Sequence, residues 1–337
     1  MLFRRLGFIY QTAKQFTLLA GALLLAVTLV APSASAQTSE RSAGNTCVSA
    51  ETVRLLALEG NSVQVSSGSM FVSQKSGSRE NEKGITLTQA PDTARTLQAA
   101  HRWFEKGARK GYAPAEVNLA VLSLAGWGTP SNAGTAIYWL REAAGQGYAL
   151  AYFDLGILYL NGCGVRQDYH EAFSLFEQGA HAGDSAAQMN LGYLYDHGLG
   201  VAQDREQAAL WYRRAADSGL AQAQNNLADL YLRGEGVARD ESKAFSWFQN
   251  AAQQGHTGAR IMLGSMYAEG RGTAKNAQAA YEWISAAVLQ GDTRGSGILR
   301  DLEQQLTAEQ VAQSKVRAAS LAKSPNQQRN AEVALLH

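Results

Sequence analysis

The chain has 337 residues, of which 46% are hydrophobic and 18% are charged, a composition that supports a sizeable core and excludes an intrinsically disordered protein. Two cysteines are too few for a small fold held together by disulfides. The formal net charge is +1. Without residues 1–36, which carry three basic residues and no acidic ones, 27 Lys and Arg face 29 Asp and Glu, a net charge of −2. We therefore predict no nucleic-acid partner, since such a partner calls for a clustered basic surface.

Residues 1–36 have the pattern of a secretory signal peptide. Basic residues precede an uncharged run, FTLLAGALLLAVTLVA, and the small residues ASA end the segment as a cleavage pattern. The run is shorter than the ~20 residues that a bilayer span needs, although an uncleaved signal anchor stays an alternative. We predict an exported mature chain that starts near Gln37 and has no stable membrane insertion after signal cleavage.

Residues 37–93 are rich in Ser and Gly, with a short helical pattern over residues 51–58. We predict a largely irregular segment whose role stays open. Residues 79–91 do not fit the repeat described next, so that repeat is expected to start with a half-unit.

Residues 94–294 contain a repeat of 36 residues without insertion or deletion. Its copies begin at Ala115, Ala151, Ala187, Ala223 and Ala259 and read AEVNLAVLSLAGWGT, AYFDLGILYLNGCGV, AQMNLGYLYDHGLGV, AQNNLADLYLRGEGV and ARIMLGSMYAEGRGT. A fixed period of this length is typical of a solenoid, in which each unit buries its apolar face against its neighbours. We predict an all-α fold, a right-handed α-solenoid of helix-turn-helix repeats, built from a half-repeat and five full repeats.

Each repeat reads as helix, turn, helix. Leu155, Leu158 and Tyr159 fall at helical spacing and predict a buried stripe on the first helix. A Gly-x-Gly pair then ends that helix, because glycine adopts the left-handed conformation found at helix C-termini. In the second helix, Ala172 and Phe176 are expected to be core. Residues suited to cap its N-terminus recur at one register, namely Asn132, Asp168, Asp204, Asp240 and Asn276.

After the last repeat, residues 295–325 read as capping helices with polar faces, and residues 326–337 as a flexible tail. Thr307 and Gln310 have the spacing of a capping box. A solenoid needs such an end to cover its last apolar face.

The repeat resembles the Sel-one-like repeat, a relative of the tetratricopeptide repeat. The resemblance rests on the alanine-rich start, on Leu155-Gly156 with Tyr159, on the Gly-x-Gly-Val turn, on the Asp cap and on the aromatic pair Trp211-Tyr212. It implies an adaptor that holds partner proteins and that is often exported or membrane-associated. The partner itself is not implied by the fold.

The sequence offers little for catalysis. The turn in LYLNGCGV lacks the third glycine and the Lys-Ser/Thr of a phosphate loop, and it recurs five times as the same turn. The six histidines show no metal-ligand spacing. The residues Ser320-Leu-Ala-Lys323 match a β-lactamase motif by letters, but its companion motifs are missing. We predict no enzyme, no cofactor and no metal; a cell-wall-active or β-lactamase-like enzyme is retained as an alternative.

The two cysteines suggest a disulfide. Cys47 lies in the segment before the repeats and Cys163 at a loop tip, in a chain whose export would let disulfides persist. A Cys47–Cys163 bridge would tie the N-terminal segment to the second full repeat. Two free thiols are the alternative.

A partner is expected on the concave face, which first helices line in a stacked solenoid. The residues predicted to point outward there are Val117, Val121, Phe153, Ile157, Met189 and Tyr193, and they would form an apolar groove. A second set recurs once per repeat, namely Asn118, Asp154, Asn190 and Asn226. Its register resembles that of the peptide-holding asparagine of tetratricopeptide domains. A tight superhelix that hides the apolar stripe, and structural bonds made by the polar set, are the alternatives.

The function that these features predict is a non-catalytic interaction scaffold or regulatory adaptor in the bacterial periplasm or cell envelope. A secreted factor that binds a host or surface protein is the alternative. The sequence leaves the partner, the pathway and the oligomeric state open.

Overall fold

The computed structural model describes residues 76–88 and 94–323, and in these ranges the chain is helical, with no strand. The fold class predicted from the 36-residue period, an all-α solenoid of helix-turn-helix repeats, is confirmed. The chain divides into two compact units, an N-terminal unit that ends at Gln203 and a C-terminal unit that begins at Asp204. The segment called the signal peptide, Cys47 and the tail at 326–337 lie outside the described residues.

The N-terminal unit contains seven helices in its described part, and consecutive helices pack against each other. They are α1 (Ser78–Thr88), α2 (Ala94–Ala108), α3 (Ala113–Ala125), α4 (Ala133–Gly145), α5 (Ala149–Asn161), α6 (Tyr169–His181) and α7 (Ser185–His197). The odd-numbered helices are the first helices of their repeats, and the even-numbered helices are the second.

The C-terminal unit continues the pattern and then departs from it. Its helices are α8 (Arg205–Asp217), α9 (Ala221–Arg233), α10 (Glu241–Gln253), α11 (Thr257–Glu269), α12 (Ala277–Leu289), a 3₁₀ turn (Thr293–Gly295), α13 (Ser296–Glu303) and α14 (Ala308–Leu321). Here α9 and α11 are first helices, whereas α13 and α14 lie against α12.

Helix α1 corrects the expectation of an irregular segment up to residue 93. It packs on α2 as a first helix packs on a second, so the unit that we expected to be half a repeat has both helices. Gly84 lies 72 residues before Gly156 and plays the same part, since a Cβ on either glycine would collide with a phenylalanine ring of the following helix. The leucine and the tyrosine of the Leu-Gly-x-x-Tyr core are missing from α1, so the sequence pattern of the repeat does not extend to this helix.

The repeated glycine of the first helix is explained by this contact. A Cβ at Gly156 would lie 2.5 Å from Cε1 of Phe176, whose side chain is fully buried. Because no atom can occupy that distance, the aromatic ring of the second helix packs directly on the backbone of the first. The Leu-Gly pair of the repeat is therefore a packing feature.

The predicted N-caps are confirmed at all five positions. The Asp168 carboxylate accepts hydrogen bonds from the backbone N–H of His170 at 3.0 Å and of Glu171 at 3.1 Å. The equivalent side chains of the other second helices do the same for their own first turns, namely Asn132, Asp204, Asp240 and Asn276. These bonds satisfy backbone donors that a helix start leaves without partners.

The two glycines of the turn have different tasks. Gly234 ends α9 with a φ of 71°, and its N–H bonds to the Leu230 carbonyl as a helix stop. Gly236 lies against the backbone of Arg205 at the start of α8, where a Cβ would have no room. The tip of each turn therefore packs on the second helix of the preceding repeat.

The C-terminal end is held by a buried arginine. Arg260 of α11 is 1% exposed and donates to the carbonyls of Ala252 at 3.0 Å and Leu321 at 2.6 Å, and to Oε1 of Gln290 at 2.7 Å. These acceptors lie at or beside the C-terminal ends of α10, α14 and α12, where the helix dipole favours a cation. Helix α14 starts at the predicted capping box of Thr307 and Gln310, which is confirmed.

Candidate partner-binding surface

The apolar groove expected on the first helices is largely closed, which corrects the expectation of an exposed stripe. Five of its six residues are buried, namely Val117, Val121, Phe153, Ile157 and Met189, and only Tyr193 is partly exposed. The reason is the contact between successive first helices, α1 with α3 and α5 with α7. The side chains between them face a neighbouring helix instead of solvent.

The polar set at the next register is also mostly internal. Asn118 donates from Nδ2 to Oδ1 of Asn81 on the neighbouring first helix at 2.9 Å, and both side chains are buried. Asn190 donates to the Ala186 carbonyl of its own helix at 2.9 Å. The geometry at Asn118 and Asn190 is thus that of the structural alternative, and a peptide does not reach either side chain in this conformation.

In the C-terminal unit the same register stays more open. Asn226 is partly exposed and accepts from Nε2 of Gln222 at 2.9 Å, and Asp229 is partly exposed beside Arg233, with which it forms an ion pair. On α11, Met262 at the register of Asn226 is partly exposed as well, and so are Ile261 and Ser265 at the registers of Asn225 and Asp229. The accessible part of the first-helix face is therefore mixed and mainly polar.

Asp154 differs from its counterparts in the set. Its carboxyl is buried, and Oδ2 has no hydrogen-bond partner among the described residues. Burial, and then the charge of Asp184, raise the pKa of Asp154 to about 8. Burial also raises the pKa of Asp184, and it raises that of Glu116 to about 7, even though Gln146 donates to the Glu116 carboxyl at 2.8 Å.

The thiol expected at a loop tip is enclosed. Cys163 is 2% exposed and belongs to a core cluster with Ile137 of α4, because the turn packs on the preceding repeat. Its proposed partner, Cys47, lies outside the described residues, so the disulfide stays a prediction.

The described part of the chain lacks the features of two other classes of site. Within residues 76–88 and 94–323, no group of three or more His, Cys, Asp and Glu side chains is placed to hold a metal ion. Over the same ranges, no helix has the length and the apolar character needed to cross a bilayer.

Sequence reasoning missed Arg260 and Asn81. Arg260 could have been noticed, because it is a cation at a register where the other repeats have Glu116, Tyr152, Gln188 and Gln224. Asn81 had no signal in the repeat pattern, because α1 lacks the apolar residues that mark a first helix.

Comparison with known proteins identifies the repeat. The sequence model of the Sel1 repeat matches residues 93–112, 113–148, 149–184, 185–220, 221–256 and 258–292, which together exceed half of the chain. The chain belongs to the Sel1 repeat family. Sel1 repeat proteins are generally protein-interaction scaffolds, and the fold is typically non-catalytic.

Solved structures agree with this assignment. A Sel1 repeat protein from Oxalobacter formigenes is 33% identical, with a TM-score of 0.59, and the match covers 63% of this chain and 87% of that one. The antigen c5321, present in uropathogenic Escherichia coli strains and displaying an SLR fold, is 23% identical with a TM-score of 0.50, covering 85% of this chain and 74% of that one. At that identity the second likeness supports the fold alone. No curated protein matches the chain.

Proposed function

We propose that this protein is an exported, non-catalytic scaffold that binds a partner protein or peptide on the face lined by its first helices, as a regulatory adaptor of the bacterial periplasm or cell envelope. The observation that carries the proposal is the array of in-register Sel1 repeats, each of which presents one first helix at the same register. The general role of Sel1 repeat proteins as interaction scaffolds supports the same conclusion.

Because the apolar stripe of the N-terminal unit is buried, we propose that the binding surface lies on the C-terminal unit. There, side chains of α9 and α11 are partly exposed, including Asp229 and Ser265 at the groove register and Asn226 at the next register. The Asn226 amide and the Asp229 carboxylate, three residues apart on α9, suit a peptide backbone, which offers both donors and acceptors. Ile261 adds an apolar contact within the same face.

The test is affinity capture with the mature chain as bait from envelope extracts of the source organism. We compare wild type with the double variant Asn226→Ala and Asp229→Ala. The control is Asp217→Ala with Gln253→Ala, two exposed positions on second helices of the same unit. The face assignment requires that the first variant loses the captured protein while the control retains it, with helicity unchanged in both. Equal capture by all three proteins would overturn it, and no reproducible partner would overturn the scaffold proposal.

The proposed location is tested separately. N-terminal sequencing of the cell-associated protein should find Gln37 as the first residue, and the protein should be released with the periplasmic fraction. Retention in the membrane with residues 1–36 intact would instead indicate a signal anchor, and accumulation in the medium would indicate a secreted factor.

A further inference from the structure

Asp154 is a buried acid in the first helix of the second full repeat. It lies in the middle of α5 and is 8% exposed, and its Oδ2 has no hydrogen-bond partner among the described residues. An ionised carboxylate in such a place is costly unless it is paired, whereas a neutral carboxyl is far less so.

Two other repeats of the N-terminal unit show how an amide is used at this position, whereas Asn226 of the C-terminal unit accepts from Gln222. Asn118 and Asn190 occupy the same register, and each donates a hydrogen bond through its amide, to Asn81 Oδ1 and to the Ala186 carbonyl respectively. Asn81 lies 37 residues before Asn118, and the residue 37 before Asp154 is Val117, which has no polar side-chain atom. Only the protonated form of Asp154 can donate as these amides do.

The charged and titratable groups around Asp154 favour the proton. Asp184 at the start of α7 is the charged residue of the described part that acts on it, and the Asp184 carboxylate is already held by the Ala187 N–H at 2.6 Å. Tyr148 and Tyr112, at the starts of α5 and α3, complete the group, and burial first and then Asp154 raise the pKa of Tyr148 to about 12. In the described part of the chain, Asp154 and Asp184 therefore repel each other, and no cation offsets this effect on Asp154.

Among the described residues, the remaining neighbours of α5 bring no compensating charge close to Asp154. Helices α4 and α6 contact it through apolar side chains such as Leu140 and Phe176. Arg141 of α4 donates to the hydroxyl of Tyr159 on α5 at 2.8 Å. Tyr159 lies more than one helical turn from Asp154 along α5.

We propose that Asp154 is a proton-controlled lock of the N-terminal unit: α5 stays packed against its neighbours while Asp154 is a neutral acid, and loss of its proton opens that packing and uncovers the buried first-helix face. Phe153 and Ile157 lie beside it on α5 and would be the residues uncovered. The inference concerns the N-terminal unit alone and does not depend on the partner-binding proposal. The direction follows from linkage, because a group that binds its proton more tightly in the folded state destabilises that state as pH rises.

Hydrogen exchange of α5 in the full mature chain tests the lock. We compare about pH 6 with about pH 9 and correct for the intrinsic exchange rate. Wild type should lose protection in α5 by roughly tenfold or more at the higher pH, as expected when an acid with a raised pKa ionises. Asp154→Asn, which copies the chemistry of Asn118 and Asn190, should keep most of its protection. The control Glu171→Gln removes an exposed acid from α6 and should behave as wild type.

Two results would overturn the proposal: equal protection of wild-type α5 at both pH values, or an Asp154→Asn variant that loses as much protection as wild type. Should that variant not fold, the carboxyl ¹³C shift of Asp154 in wild type decides the matter. A midpoint in the neutral to alkaline range supports the lock, and a midpoint near the ordinary value of about 4 rejects it.

Discussion

The two units repeat the same backbone but treat charge in different ways. In the C-terminal unit, the middle residue of the Gly-x-Gly turn forms an ion pair with the first residue of the preceding second helix. Arg205 pairs with Glu235 at 3.3 Å and, with the signs reversed, Glu241 pairs with Arg271 at 3.4 Å. In the N-terminal unit the equivalents of Glu235 are uncharged, namely Trp127, Cys163 and Leu199, and Cys163 is buried in an apolar cluster.

The carboxyl groups follow the same division. The N-terminal unit buries Glu116 and Asp154 and partly buries Asp184, and burial raises the pKa values of all three. In the C-terminal unit the hydrogen bond from Arg294 lowers the pKa of Asp292 to about 2, and the one from Arg239 lowers that of Glu241. One group in each unit runs against its unit's trend: Glu80 has a lowered pKa and Glu282 a raised one.

The fold constrains some positions of the repeat and leaves others free to vary. The glycine, alanine and leucine positions determine how the helices pack in both units. At the polar positions, the charge and the hydrogen-bonding groups can therefore differ between the units without a change of fold. The consequence is an opposite response to pH. Raised pKa values weaken the N-terminal unit as pH rises toward 7 and 8, whereas lowered ones weaken the C-terminal unit as pH falls through about 4 to 2.

The largest effect is expected at the C-terminal end, where the guanidinium of Arg260 is buried against carbonyl and amide oxygens and not against a carboxylate. Replacing Arg260→Met should lower the free energy of unfolding of this unit by about 4 kcal/mol, because the carbonyls of Ala252 and Leu321 lose a charged donor while buried. Hydrogen exchange should become fast in α14 before the rest of the unit. The control Arg300→Met, at an exposed site of α13, should change little, and equal exchange of α14 in both variants would contradict the anchoring role.

A second test asks whether the backbone packing is shared by both units. Gly156→Ala and Gly264→Ala should each cost about 2 to 3 kcal/mol, since the new Cβ meets Phe176 in one unit and Ile284 in the other. Urea denaturation measures the loss. Gly145→Ala is the matched control, because nothing lies within 4 Å of its Cβ position, and it should be neutral or slightly stabilising. A cost confined to one unit would show that the packing is not common to both.

Much of this packing was predictable, whereas the binding surface was not. The 36-residue period, the caps such as Asp168 and the glycine stops are local signals, because each depends on residues within one helix end. The exposure of Phe153 or Met189 depends on how closely one first helix approaches the next. That approach is set by contacts such as the hydrogen bond between Asn118 and Asn81. These two residues lie in different repeats, and the 36-residue period does not indicate that they meet. Helix α1 was missed for a related reason, since only Gly84 keeps the register.

A third test exchanges a carboxylate and an amide between the two units at one position of the repeat. Glu116 accepts from Gln146 at 2.8 Å, and the equivalent pair in the C-terminal unit is Gln224 with Gln254, also at 2.8 Å. Because the folded-state pKa of Glu116 is raised to about 7 from 4.5, its stabilisation is present below about pH 4.5 and is lost as pH rises through 7.

Glu116→Gln should therefore stabilise the N-terminal unit by about 1 to 2 kcal/mol at alkaline pH and leave it unchanged in acid. Gln224→Glu should bring the same pH dependence to the C-terminal unit. Hydrogen exchange of α3 and α9 across this pH range measures both changes. If the stability of Gln224→Glu is the same at every pH, a carboxyl at this position does not cause the different pH dependence of the two units.

The smallest effect is expected at the ion pairs of the turns, which are partly exposed. Arg205→Glu alone should cost about 0.5 kcal/mol, because it places two acids side by side, and Glu235→Arg should recover most of that loss when the two are combined. The reversed order of charges at Glu241 and Arg271 shows that the fold accepts either orientation. A double-mutant cycle at low salt measures the coupling, which should shrink as salt is added because the pair is screened. A coupling that does not change with salt would mean that packing at the turn, and not charge, joins these repeats.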